Sequence, residues 1–264
     1  MAIVTPKPQT TRNRILGIHT RPDHQVAFLD TPGVVDSQKG LNAYLGREVQ
    51  RALGDADVII LVVEPFGPLK ESEEFLLERL AKHKRPVILA INKVDKVKKE
   101  NLLPLLAEFG AKFPFQAMVP ISARRKDGID RLLSETVNAL PKGPLYFPPD
   151  QLSDANERFF VAEMIREQVF LLTKEEIPYS SAVVVENFQE KEALNHIIAT
   201  ILVERDSQKG IVIGHGGEML KKIGTAARRK MEAFLQKKVY LELQVRVSRD
   251  WSRSESKLRE LGFQ

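Results

Sequence analysis

Pro86-Val-Ile-Leu-Ala-Ile-Asn-Lys-Val-Asp95 is the stretch that decides the fold. Residues 86–91 are an unbroken apolar run, the pattern of a strand buried on both faces. Asn92-Lys93-Val94-Asp95 then falls at the carboxyl end of that strand, where open α/β sheets bind ligands. A carboxylate at Asp95 can accept two hydrogen bonds, from N1–H and the exocyclic amine of guanine. Adenine offers no such pair, and a buried carboxylate left unpaired disfavours it. Asn92 can bond the base edge and its own loop, and the Lys93 stem can lie along the ring.

The segments around this run alternate between strand and helix patterns from residue 14 to 140. Ile15–His19, Gln25–Leu29, Asp57–Val63, 86–91 and Ala117–Ile121 read as strands. Leu41–Ala52, Leu69–Lys82, 102–111 and Gly128–Leu140 read as helices. Such alternation predicts a parallel sheet with helices on both faces. Between Leu140 and Asp150 four prolines fall in eleven residues, a composition that fits neither a helix interior nor a central strand. This places a linker at 142–152 between an N-terminal domain, 1–141, and a C-terminal one, 153–264.

Two further motifs follow strands of the same sheet, and a third comes before its first strand. In Asp30-Thr31-Pro32-Gly33, Asp30 can hold Mg²⁺ through water, and the Gly33 N–H can face a γ-phosphate. Ile121-Ser122-Ala123 can offer backbone N–H groups to guanine O6, with Ser122 steadying Asp95. Gln9-Thr10-Thr11-Arg12 precedes them all. Each motif alone is an ordinary turn; the order carries the signal. One part is missing. A triphosphate site needs a Gly-rich turn ending in Gly-Lys-Ser/Thr, and none of the fifteen glycines is followed by lysine. On this reading strands 25–29 and 57–63 lack a shared neighbour, and the expectation is a truncated or wrongly started reading frame.

The C-terminal part has a different character. From Asp206 to Gln264 there are 13 Lys and Arg against 7 Asp and Glu, whereas residues 1–205 are close to neutral. Ser153-Asp-Ala-Asn156 can cap a helix running to about Leu172. Ser181–Glu186, Ile197–Val203 and Val239–Val247 read as strands, and Glu255–Leu261 as a short helix. Leu220, Ile223, Ala227, Met231 and Phe234 recur at helical spacing, with Lys221, Lys222, Arg228 and Arg229 outside the stripe. Gly214-His215-Gly216-Gly217 precedes that helix. It matches a GXXG loop, whose small residues let a nucleic-acid backbone approach the helix start. Gly210-Ile-Val-Ile213 reads as strand by propensity. Trp251 reads first as a core residue and second as an RNA stacker.

Composition bounds the rest. Hydrophobic content of 43% in 264 residues supports real cores. No apolar run approaches the roughly 18 residues of a membrane span. The chain has no cysteine, which excludes disulfides and fits a reducing cytoplasm.

On the residues quoted, the chain resembles the translation-factor-type GTPases, and among them the Era family of bacterial ribosome-assembly GTPases. The likeness continues through Arg158-Phe159, Ile165-Arg166-Glu167, Pro178-Tyr179 and Leu202-Val203-Glu204-Arg205. It implies a P-loop-type α/β GTPase domain, here without its first strand and P-loop, followed by an α+β type II KH domain with Ser207–Ile213 helical. It implies GTP/GDP and Mg²⁺ as ligands, with Gln9–Arg12 as switch I, Thr11 or Thr10 closing over the metal with Asp30, and a hydrophobic residue, Val34, after Gly33. It implies RNA contact by Gly214, His215, Gly216, Gly217, Lys221, Lys222, Arg228 and Arg229. The expected partners are the 3′ end of 16S rRNA and the 30S subunit. The expected protein is a cytoplasmic monomer with peripheral attachment to the inner membrane as a further feature. As written, the chain has a competing reading, an RNA-binding module whose nucleotide domain is inactive.

Overall fold

A computed structural model describes residues 2–33, 39–67 and 69–263; Val34 lies outside the described residues. The chain divides into two compact units. One comprises Met1–His19, Ala27–Ala52 and Gln151–Gln264, and the other Thr20–Val26 and Leu53–Asp150.

The second unit holds the expected parallel sheet in reduced form. Strands β3 (Ile59–Val63), β4 (Val87–Ile91) and β5 (Ala117–Pro120) run parallel in that order. β4 is central and every one of its residues is buried, as its unbroken apolar run requires. One face packs on α2 (Glu71–Leu80) and α3 (Leu102–Lys112) through Leu77, Leu80, Leu105 and Phe109. Ile88, Ala90, Val119 and Ile121 meet Ile129 and Leu132 of α4 (Ile129–Ala139) on the other. Strands β1 (Ile15–Thr20) and β2 (Gln25–Asp30) form a separate two-stranded sheet. No helix separates them; the turn closes with Arg21 N–H donating to the His24 carbonyl at 2.8 Å. The single parallel sheet expected from alternation is therefore two ladders, and among the described residues no ladder joins β2 to β3.

In the first unit, α5 (Glu157–Leu172) starts at Asn156, whose side chain accepts from Phe159 N–H at 2.9 Å. α6 (Ile177–Ser180), which no sequence signal marked, leads into β6 (Ala182–Glu190). β6 pairs antiparallel with β7 (Leu194–Val203), and β7 pairs parallel with β8 (Lys238–Val247). α7 (Asp206–Ile213), the three-residue turn His215–Gly217 and α8 (Glu218–Leu235) connect β7 to β8. Gly210–Ile213 is thus helical, against its propensity. Gln208 accepts at Oε1 from the Glu204 and Arg205 N–H groups at 3.0 and 3.1 Å, capping the helix start, and Val212 is wholly buried. The core joins Val161, Ile165 and Val169 of α5 to Ile223, Ala227 and Met231 of α8 over the inner face of the sheet. Phe234 departs from the expected stripe and is 41% exposed. A smaller cluster joins Leu41, Tyr44 and Leu45 of α1 (Gly40–Asp55) to Ala182, Leu202, Trp251 and Leu258, the last from α9 (Glu255–Glu260).

Candidate functional site

The loop after β4 and the loop after β5 are tied together by side chains. The Asn92 side-chain Oδ1 accepts from the Lys93 N–H at 2.7 Å and from the Ala123 N–H at 3.0 Å. Ser122 donates its hydroxyl to Asp95 at 2.7 Å, and the Arg125 guanidinium lies 3.9 Å from the same carboxylate. The Ser122 bond is the main reason the Asp95 carboxyl is held below its ordinary pKa, with Arg125 adding to it. Asp95 is therefore an ionised acceptor fixed in place before any ligand arrives. Lys93 adopts a left-handed backbone, φ 66°, and its ammonium pairs with Glu64. Val94 N–H donates to the Ile121 carbonyl at 3.2 Å.

The N–H groups assigned to guanine O6 are all used inside the protein here. Ile121 donates to Ile91, Ser122 to Asp127, and Ala123 to Asn92. Of the three, only the Ala123 bond ends on a side chain able to turn away. What the sequence did not signal is the partner of Lys93, since Glu64 lies on a different strand exit.

Gln9–Arg12 and Asp30–Gly33 lie in the first unit. The Thr11 hydroxyl donates to the Asp30 carboxylate at 3.2 Å. Thr10 instead donates to the Lys7 carbonyl at 2.8 Å and meets the Thr5 hydroxyl at 2.6 Å. Thr11, rather than Thr10, is thus the threonine that faces Asp30. Burial raises the Asp30 pKa, and the Thr11 and Thr31 hydrogen bonds only partly offset this. An exposed carboxylate with a hydroxyl beside it is a hard-oxygen pair that suits Mg²⁺, which takes one or two protein ligands and completes its shell with phosphates and water. Pro32 is buried, and at Gly33 a side chain would meet nothing within 4 Å among the described residues.

Arg12 corrects the sequence reading. It is 3% exposed, and its guanidinium donates to the Ser181, Pro178 and Tyr179 carbonyls at 2.6, 2.9 and 2.9 Å. It lies 5.8 Å from the ring centres of both Phe170 and Trp251. Burial, then the like charge of Arg166, lowers its pKa to about 9, with Glu163 opposing; it stays a cation at neutral pH. Its fork is spent on the C-terminal part of the chain rather than offered to a phosphate. Lys7 is used likewise, donating to the Phe170 and Thr173 carbonyls at 2.5 Å each. Gln9 takes a left-handed backbone, φ 55°, between these anchors.

The GXXG loop opens a cleft of about 360 Å³ lined by Gly217, Leu220, Lys221, Gly224, Thr225, Arg228, Leu241 and Leu243. Gly214 takes φ +74°, and a side chain there would sit 2.7 Å from Met219 Cβ. Gly216 and Gly217 are also left-handed, with open space where side chains would be. His215 and Gly216 are exposed at the tip. Of the four basic residues expected, Lys221 and Arg228 line the cleft; Lys222 and Arg229 are exposed on α8 beside it. The apolar wall was not anticipated. Gly217, Lys221, Gly224 and Arg228 fall at helical spacing on one face, the signal that could have marked the cleft. Leu241 and Leu243 were hidden in an ordinary strand alternation. Trp251 is a core residue, fully buried, with its indole N–H donating to the Ser180 carbonyl at 2.9 Å. Among the described residues no three His, Cys, Asp or Glu cluster as a metal site, and no helix is long and apolar enough to cross a membrane.

Two family models match, a 50S ribosome-binding GTPase over residues 1–93 and a KH domain over 176–252. The chain is 49% identical to the GTPase Era of Geotalea uraniireducens, with the whole chain and 89% of that relative aligned. It is 48% identical to the GTPase Era of Geobacter metallireducens over the same shares. Among solved structures, Era in complex with MgGDPNP and nucleotides 1506–1542 of 16S ribosomal RNA superposes with a TM-score of 0.96 at 35% identity, covering 99% of this chain and 90% of that one. A single-residue variant of Aquifex aeolicus Era bound to GDP·AlF4⁻ matches equally well, with the same score, identity and coverage. With relatives of this identity along its whole length and a KH model over 176–252, the chain belongs to the Era family of GTPases.

Proposed function

We propose that this protein is a GTP-dependent switch that binds the 3′ end of 16S rRNA through residues 153–264 and acts in assembly of the small ribosomal subunit, with residues 1–141 as its nucleotide domain and 142–152 as linker. The observation that carries this reading is one chain with two prepared sites: an Asp95 carboxylate set by Ser122 for guanine, and a cleft beside Gly214–Gly217 walled by Lys221 and Arg228. The solved relative with MgGDPNP and a 16S rRNA fragment supports both ligands.

In this reading Asp95 and Asn92 select guanine, and Lys93 and Val94 shape the loop. Ala123 reaches O6 when Asn92 turns toward the base. Thr11 and Asp30 hold Mg²⁺, which neutralises charge on the transferred phosphoryl group when bound. Thr31, Pro32 and Gly33 bring backbone toward the γ-phosphate. Release of Thr11 after hydrolysis is the switch. Gly214, His215, Gly216 and Gly217 clamp about four nucleotides, and Lys221, Lys222, Arg228 and Arg229 contact phosphates.

The decisive experiment pairs two substitutions. Asp95→Asn should weaken GTP binding and improve binding of xanthine nucleotides, because the amide donates to the carbonyl that replaces the guanine amine. Gly216→Asp should abolish binding of single-stranded RNA with normal circular dichroism, since a carboxylate would occupy the place of a phosphate. Unchanged GTP and XTP affinities would remove the base-reading role of Asp95. Unchanged RNA affinity would remove the cleft.

A further inference from the structure

The outer face of the β6–β7–β8 sheet carries an aromatic pair outside the cleft. His196 and Tyr240 are register partners on β7 and β8. Their ring centres lie 4.9 Å apart and their planes differ by 7°, a parallel stack. Tyr240 is 54% exposed. The far end of the same face is closed, because Leu202 and Ala182 pack beneath Leu41, Tyr44, Leu45 and Trp251. The end with the aromatic pair is open.

Its position relative to the cleft matters. β8 is the edge strand, and alternation sends Leu241 and Leu243 to the inner face, where they wall the cleft. Tyr240 directly precedes Leu241, about 3.8 Å away between Cα atoms. A strand of RNA passing Leu241 has only the edge of β8 to round before it reaches the Tyr240 ring. Lys238, exposed on the same face two residues earlier, and Lys237 supply positive charge for the accompanying phosphate. The acidic groups farther along the face are already occupied. Glu242 accepts from Gln244 at 3.2 Å, and Glu186 accepts from Thr200 at 2.7 Å and lies 3.5 Å from Arg246.

We propose that Tyr240, held flat by His196, is a stacking platform for a base of single-stranded RNA that has left the GXXG cleft, so that the RNA footprint extends beyond the four nucleotides the cleft can hold. The proposal rests on the cleft being an RNA site. A ring already stacked on a second ring is fixed in orientation, so the base meets a prepared π-face. Stacking of this kind tolerates any base.

The test measures fluorescence anisotropy of unstructured four- and eight-nucleotide RNAs with the 264-residue chain. The eight-nucleotide RNA should bind more tightly than the four-nucleotide one. Tyr240→Ala should weaken the longer RNA about tenfold and leave the shorter unchanged. Tyr240→Phe should match the unsubstituted chain. Tyr240→Leu, which keeps an apolar strand residue but no ring, should behave like Tyr240→Ala, and the Phe–Leu contrast decides if the alanine variant does not fold. Equal affinity for both lengths, equal losses on both RNAs, or a Tyr240→Leu variant that binds the longer RNA normally would each overturn the platform. Failure of the cleft reading is separate: neither RNA would then lose affinity in Gly216→Asp, whereas failure of the platform alone would leave that loss in place and the Tyr240→Leu variant normal. Binding of neither RNA would overturn both.

Discussion

Asp95 and Arg12 show how differently two charged groups are stabilised within the motifs that define the family. Asp95 has its charge favoured, chiefly by the Ser122 hydroxyl. Its folded pKa is below its unfolded one, so its contribution to stability is present above the unfolded value, about 4, and is lost as pH falls through the folded value. Ser122→Ala should move the Asp95 titration upward toward the ordinary carboxylate range, read by carbon-detected NMR, and weaken GTP binding by loosening the base reader. An unmoved titration would show that Arg125 and the loop backbone suffice. Arg12 has its charge disfavoured by burial and kept by three carbonyls. Arg12→Lys cannot reproduce the fork and should cost about 2 kcal/mol in denaturant unfolding. A cost near zero would mean that the three carbonyls find other donors. The sequence marked both residues, because their motifs are local. It could not mark the role of Arg12, whose partners Pro178, Tyr179 and Ser181 lie in a distant part of the chain.

Elements were legible where periodicity was strong and obscure where composition and context disagreed. β4 and α8 were readable, the first from its buried run and the second from its stripe. α7 was legible only through the family resemblance, because Gly210-Ile-Val-Ile213 favours a strand locally, and the cap by Gln208 and the burial of Val212 hold it as a helix. The two-ladder arrangement was not legible, because strand and helix alternation alone predicts one continuous sheet. α6 is too short to show a period. The glycines around α7 give opposite predictions. Gly210 lies within the helix, and a side chain there meets nothing within 4 Å. Gly210→Ala should therefore raise stability by about 0.5–1 kcal/mol, seen as a higher Tm with RNA affinity kept. Gly214 has φ +74°, and an added Cβ would sit 2.9 Å from the Met219 backbone nitrogen. Gly214→Ala should cost about 2 kcal/mol and shift the start of α8, weakening RNA binding as well. If both variants melt alike, backbone conformation at the loop is not what positions the helix.

At the scale of the molecule, the C-terminal region owes its stability to two cores of different origin. The larger one is built wholly from residues 161–247. The smaller one is shared, since Trp251, Leu202 and Leu258 pack against Leu41, Tyr44 and Leu45 from α1, and Arg12 approaches the indole from the segment bearing Thr11. The linker composition announced a boundary near 142–152, yet Leu152 and Ser153 bond β1: Ile18 N–H donates to the Leu152 carbonyl at 2.9 Å, and Ser153 donates to the Leu16 carbonyl at 2.6 Å. Such long-range seats leave no local pattern in a sequence. They do yield a measurable consequence, because Trp251 is the chain's single tryptophan. Residues 153–264 expressed alone should fold on the larger core and keep RNA binding, but Trp251 should lose the cover of α1 and the cation of Arg12. Its emission maximum should shift to the red relative to the whole chain, and the piece should melt at a lower temperature. In the whole chain, Arg12→Ala should move the emission part of the way in the same direction. Identical emission from the piece and the whole chain would mean that Trp251 is seated by the C-terminal residues alone, and that the Thr11 segment has no hold on the RNA-binding half through this contact.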